Sequence, residues 1–166
     1  MRAALLAGAV LVASGSAAQE VKPCADEAAR QQALQRINAL RAAGAACAAA
    51  GSAGALAFDA RLNASAWALA RDLAERDTLS HADAQQRPLR ERLRAAGYAL
   101  GSAAENVAAG QPDIDAVLAA WLTSPTHCEN LMGREYVDAG LACAQRGGTR
   151  YERFWVLQLA RPAPRR

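Results

Sequence analysis

Tyr151-Glu152-Arg153-Phe154-Trp155-Val156-Leu157-Gln158-Leu159 is apolar on both faces when read as a strand. Successive side chains of a strand alternate sides, so Trp155, Leu157 and Leu159 point one way and Phe154 and Val156 the other. A strand of that kind needs a layer over each face. Gly140-Leu141-Ala142-Cys143-Ala144 is a second strand-like run, and Gly147-Gly148 between the two suggests a hairpin. The expected fold is α+β: an α-β-α sandwich with a small, mostly antiparallel sheet flanked by helices.

The helices come upstream. Ala33, Ile37 and Leu40 form an apolar stripe in a helix from Ala25 to about Ala43, which Gly44 can end. Leu56-Ala57-Phe58 is a short extended piece. Asp59 or Asn63 can cap a second helix running to about Leu79, with Leu62, Ala66, Leu69 and Leu73 as its stripe. Trp67 flanks that stripe and reads as core. Pro88 starts a third helix that stops at Gly97. Glu105 to Ala109 reads as strand or coil. A fourth helix starts near Pro112, carries Ile114, Val117, Leu118, Trp121 and Leu122, and breaks at Ser124-Pro125. A short helical turn follows through His127 and Leu131.

Residues 1–18 combine Arg2, an apolar run to Val12 and a small-residue end at Gly15-Ser16-Ala17-Ala18, the pattern of a secretory signal peptide. Cleavage after Ala18 leaves a short segment, residues 19–26, before the first helix. The apolar run is too short to span a bilayer comfortably, so no stable membrane insertion is expected and the product is secreted or periplasmic. Export and an even count favour two disulfides among Cys24, Cys47, Cys128 and Cys143. Three pairings are possible. A helix of some 18 residues would separate Cys24 and Cys47 by about 27 Å. That disfavours their direct pairing unless the flanking segments fold back; of the two pairings left, we lean towards Cys47 with Cys128 and Cys24 with Cys143. The net charge of +3 is mild and aromatics make up only 5% of the chain, which argues against nucleic acid as a partner. Arg87, Arg90 and Arg94 share one helical face, read as solvated. The tail over residues 161–166 is expected to be disordered.

The chain has only two histidines, each in a polar cluster: Leu79-Ser80-His81-Ala82-Asp83 and Ser124-Pro125-Thr126-His127-Cys128-Glu129-Asn130. Glu105 stands between them in an alanine-rich stretch. There is no GxSxG, HExxH, Gly-rich phosphate loop or CxxC. Ser80 and Ser124 read as turn or cap residues rather than nucleophiles. What remains is His81, Glu105 and His127, with Glu129, Asp138 and Asn130 as possible neighbours. Two imidazoles and a carboxylate suit a divalent metal such as zinc with an open position, or general acid–base work.

Five ordered segments extend this reading. They are Leu79-Ser80-His81-Ala82-Asp83, Arg92-Leu93-Arg94-Ala95-Ala96-Gly97-Tyr98, Ala104-Glu105-Asn106-Val107-Ala108-Ala109-Gly110, the run from Ala120 to Met132, and Val137-Asp138-Ala139-Gly140-Leu141. Together they resemble the bacterial branch of the CAP superfamily of cysteine-rich secretory, antigen 5 and pathogenesis-related proteins, over roughly residues 27–160. The resemblance implies an α-β-α sandwich and a cavity lined by histidines and acidic residues able to bind a divalent metal. His81, Glu105 and His127 match its motifs, Asn106 accompanies Glu105, and Asp138 or Glu129 would supply the second acid. Two functions follow as expectations. One is a binding module for a small ligand, lipid, cell-wall component or partner protein. The alternative is a metal-assisted hydrolase using His81, His127 and Glu105. A purely structural role for the cluster is the third reading.

Overall fold

The carboxyl-terminal hairpin is the middle of the sheet. The computed structural model describes residues 19–44 and 51–164. In chain order its elements are β1 (Lys22–Pro23), α1 (Glu27–Ala43), β2 (Ala57–Phe58), α2 (Ala60–Arg76), α3 (Leu89–Ala95), β3 (Leu100–Ala109), α4 (Ile114–Thr123), α5 (Pro125–Met132), β4 (Asp138–Gln145) and β5 (Arg153–Pro162). The sheet order is β1-β4-β5-β3, with β2 also on β4. β3, β4 and β5 pair antiparallel, with Glu105 opposite Gln158 and Gln158 opposite Gly140. β1 joins β4 antiparallel near Gln145, and β2 joins it parallel near Asp138.

Both faces are covered, as the two-faced strand requires. Leu141, Trp155, Leu157 and Leu159 pack with Ile37 of α1, Val117 and Trp121 of α4, and Leu131 of α5. On the other face Ala142, Phe154 and Val156 meet Ala66, Leu69, Ala70 and Leu73 of α2. Leu62, Leu93, Tyr98 and Ala160 extend that layer to α3. Each large side chain fully buried in these layers contributes roughly 1.5–3 kcal/mol.

Local chemistry sets the helix ends. Asp26, Asp59 and Asp113 cap α1, α2 and α4 by accepting from Ala29, Leu62 and Ala116 amides. A lost cap costs about 1 kcal/mol. The second helix ends at Arg76 rather than near Leu79, because Asp77 turns left-handed at φ 48°. The Asp77 carboxylate then accepts the Arg150 amide. β3 has ten residues, longer than the expected short piece, since its pairing with β5 supplies what its alanine-rich sequence lacks. Arg161 and Pro162, placed in the tail by the sequence reading, belong to β5 and pair with Ser102 and Leu100.

Arg41 is fully buried in α1. It donates to the carbonyls of Gly54, Leu131, Gly133 and Tyr136 at 2.7–3.2 Å. Burial lowers its pKa, and Glu135 opposes that shift. One guanidinium thus ties α1 to the segments before β2 and after α5.

Cys24 and Cys143 form a disulfide, with the Cys24 amide also donating to Cys143 O at 2.9 Å. Cys128 is disulfide-bonded as well. Its expected partner Cys47, like the signal peptide, lies outside the described residues.

Gly140 is where α2 touches the sheet. A Cβ there would overlap the Asn63 nitrogen and the Leu62 carbonyl carbon. Both are backbone atoms and cannot rotate away. Gly140→Ala should lower stability by about 1–3 kcal/mol or more, read from chemical denaturation. An unchanged midpoint would show that α2 sits farther from β4 than described.

Replacing Cys24 and Cys143 by serine should cost about 2–5 kcal/mol, because the bond closes a loop across 119 residues.

A candidate binding site around Glu105

Glu105 and Asn106 are adjacent in β3, so their side chains leave on opposite faces of the sheet. That alternation divides the expected site in two.

On the α2–α3 face, Glu105 is buried with 2% of its side chain exposed. Arg92 of α3 reaches it, and Arg92 Nη2 lies 2.9 Å from both carboxylate oxygens. Gln158 Nε2 donates to Oε2 at 2.9 Å, and His81 Nδ1 lies 3.1 Å from Oε1. Three nitrogens thus engage the two oxygens of the buried carboxylate, Arg92 Nη2 bridging both. Arg92 also donates to the carbonyls of His81 and Arg87. It therefore sets the path of the loop that carries His81. Asp83 shapes the same loop by accepting the Gln85 and Arg87 amides. Burial alone would raise its pKa, but the Arg87 amide and guanidinium outweigh that and hold it below 3.8.

His81 has 60% of its side chain exposed. Its Nδ1 faces a carboxylate, so in the neutral ring Nδ1 carries the proton and Nε2 is an acceptor. Ser80 is a turn residue: its Oγ accepts the Ala82 amide at 2.9 Å.

On the other face Asn106 is fully buried. Its Nδ2 donates to the His127 carbonyl and its Oδ1 accepts from Asn130 Nδ2, both at 2.9 Å. Asn130 also donates to Glu105 O at 3.4 Å, and Trp121 Nε1 to Val107 O at 3.3 Å. Side chains of α4 and α5 thus satisfy carbonyls along β3, the edge strand. The His127 ring is half-buried near His81. Burial first, then the His81 charge, lowers its pKa from 6.5.

The second acid is not gathered with these groups. Glu129 is exposed on α5. Asp138 accepts from Tyr98 Oη at 2.6 Å, beside Arg61, whose guanidinium stacks over the Tyr98 ring. Among the described residues no three His, Cys, Asp or Glu side chains are grouped to hold one metal ion. Glu105 already neutralises a buried guanidinium, and a cation ligated there would have to displace it. The donor set does not fit a resident divalent metal.

Arg92, Gln158 and Arg41 were not singled out from the sequence. A signal existed for the arginines. Arg92 stands three residues after Leu89 and Arg41 four after Ile37, each on the apolar stripe of its helix, where an unpaired charge would be costly.

Arg92→Met strands Glu105 and should cost about 3–5 kcal/mol. The double variant Arg92→Met/Glu105→Gln should recover part of that loss in denaturant melts, whereas strictly additive costs would contradict the pairing. For pH, the unfolded chain protonates His127 near 6.5 and the native chain only at lower pH. Stability should therefore fall as pH drops below 6.5, and His127→Gln should flatten that slope.

The comparisons with known proteins agree with the fold. Residues 34–159 match CAP, the cysteine-rich secretory protein family. No curated protein matches the sequence. An SCP-domain extracellular protein from Bacillus anthracis is similar in structure, with TM-score 0.66 and 24% identity. The match covers 81% of this chain but only 40% of that one. An outer surface protein of Borrelia burgdorferi gives TM-score 0.71 at 18% identity, covering 87% of this chain and all of that one. A Schistosoma mansoni venom allergen-like protein gives 0.56 at 14% identity, over 82% of this chain and 90% of its own. No helix among the described residues is long and apolar enough to cross a membrane. With the family match spanning most of the sequence and both layers of the sandwich in place, the chain belongs to the CAP family.

Proposed function

We propose that this chain is an exported, non-catalytic binding domain that meets its partner through the surface formed by His81 and His127 above the Glu105–Arg92 pair. One observation carries the reading: the buried Glu105 carboxylate is engaged at both oxygens by three nitrogens of the protein, those of Arg92, Gln158 and His81. A general base needs an oxygen free to take a proton, and a metal ligand needs a lone pair. Both oxygens of Glu105 are already engaged with Arg92, Gln158 and His81. It serves instead to orient His81, whose exposed ring offers Nε2 as acceptor when neutral and donor when protonated. The partner is a small ligand, lipid, cell-wall component or protein that accepts such contacts. The Cys24–Cys143 disulfide and the extracellular or surface setting of the similar structures support export.

Zinc calorimetry on the mature protein, paired with peptidase assays, tests this directly. The expected result is no saturable heat in the micromolar range and no turnover. A turnover that disappears in His81→Ala would overturn the proposal. For export, the protein recovered from medium or periplasm should begin at Gln19.

A further inference from the structure

The segment that follows the expected cleavage point is bound into the fold from Gln19 onward. Val21 packs against the α2 layer, Lys22 and Pro23 pair with β4, and Cys24 closes its disulfide. Arg146, just after β4, holds the beginning of the segment. Its Nε donates to the Gln19 carbonyl at 3.2 Å. Its Nη1 donates to the Glu75 carbonyl at 2.7 Å and the Ala74 carbonyl at 3.4 Å, at the end of α2. Gly147 leaves room beside it, since a Cβ there would overlap the Gln19 side-chain amide. Gln19 itself is exposed. In the precursor the Gln19 nitrogen belongs to a peptide bond. Cleavage after Ala18 turns it into an α-amine, separated from the carbonyl oxygen that Arg146 binds only by Cα and the carbonyl carbon. A positive chain end would then stand beside a guanidinium.

We infer that Gln19 is a modification site, at which the exported chain closes its N-terminus into a pyroglutamyl ring. The neutral amine attacks Cδ of its own side chain. The N–Cδ bond forms, the Cδ–Nε2 bond breaks, one amine proton passes to Nε2, and ammonia leaves. No oxidant, cofactor or second reactant is needed. Two features of the structure favour the step. A free α-amine titrates at about 7.7–8.0, and a cation beside it disfavours its charged form, so Arg146 enlarges the fraction able to attack. The product is a neutral lactam, so the like-charge contact disappears, while the Gln19 carbonyl that Arg146 binds is kept. Gly147 leaves space for the ring where any other residue would crowd it. The inference rests on the export reading, with cleavage after Ala18, and not on the His81 surface.

Mass spectrometry of the N-terminal peptide of the exported protein is the first test. The expected peptide begins at residue 19, is lighter than free Gln19 predicts by one ammonia, and resists N-terminal sequencing until pyroglutamyl aminopeptidase removes the ring. The second test follows ammonia release from oxidised mature chain freed at Gln19 from a fusion, at neutral pH. Arg146→Gln should slow ring closure by about threefold, because the amine keeps more of its proton. Arg146→Lys, which keeps the charge, should restore the rate. Wild-type chain unfolded in urea should close as slowly as Arg146→Gln, a comparison that holds even if the variant folds poorly. An exported chain that begins at Gln19 with a free amine would overturn this inference alone, as would a native rate no faster than the unfolded one. An exported chain that begins at another residue would overturn the export reading and the inference with it.

Discussion

A guanidinium and a carboxylate buried 2.9 Å apart hold three separate parts of this chain in register. Arg92 comes from α3, Glu105 from the edge strand β3, and the His81 carbonyl from the loop between α2 and α3. None of the three is otherwise bound to the others by a large apolar surface; Leu93 and Tyr98 form only a small cluster with Leu62 and Ala160. Desolvating two ions is expensive, and the attraction between them repays it only when the remaining donors and acceptors are also used. Here both carboxylate oxygens are engaged, Gln158 and His81 adding to the Arg92 contact. The guanidinium is less completely used, since Arg92 Nη1 is buried without a hydrogen-bond partner.

The alternation of β3 gives the second constraint. Glu105 and Asn106 form one sequence motif but serve two layers. Glu105 organises the α3 side, and Asn106 organises α5 through the His127 carbonyl and Asn130. Because β3 is the edge strand, the loops from both layers meet around its margin, which is how His81 and His127 come near each other. The two histidines are therefore neighbours without sharing the carboxylate. His81 is held by Glu105 through its ring, and His127 is held by Asn106 through its backbone.

Much of this was legible in the sequence. The two-faced pattern of Phe154 to Leu159 called for a layer on each side, and both layers are present. The helix stripes and the caps at Asp59 and Gly44 fell where the residues placed them. Other features depended on tertiary context. The left-handed turn at Asp77 is a backbone choice stabilised by Arg150, a contact 73 residues away. The length of β3 comes from its pairing with β5 rather than from its own composition. The cluster of His81, Glu105 and His127 was visible as residue types, but the cation that claims Glu105 was not. Arg92 was not singled out beside Arg87, Arg90 and Arg94, the arginines read as a solvated face, although its place beside Leu89 and Leu93 on the helix marks it as inward. The same holds for Asp138, which in the sequence is one more acid and in the fold belongs to Tyr98 and Arg61.

Glu105 is an internal counter-ion and a positioning residue for His81. A crystal structure of the mature protein soaked in zinc addresses it most directly. The account predicts that Arg92 Nη2 stays about 2.9 Å from both Glu105 oxygens and that no ion bridges them to the imidazoles. A zinc ion at about 2.0–2.2 Å from a Glu105 oxygen and both histidine rings, with Arg92 displaced, would contradict it.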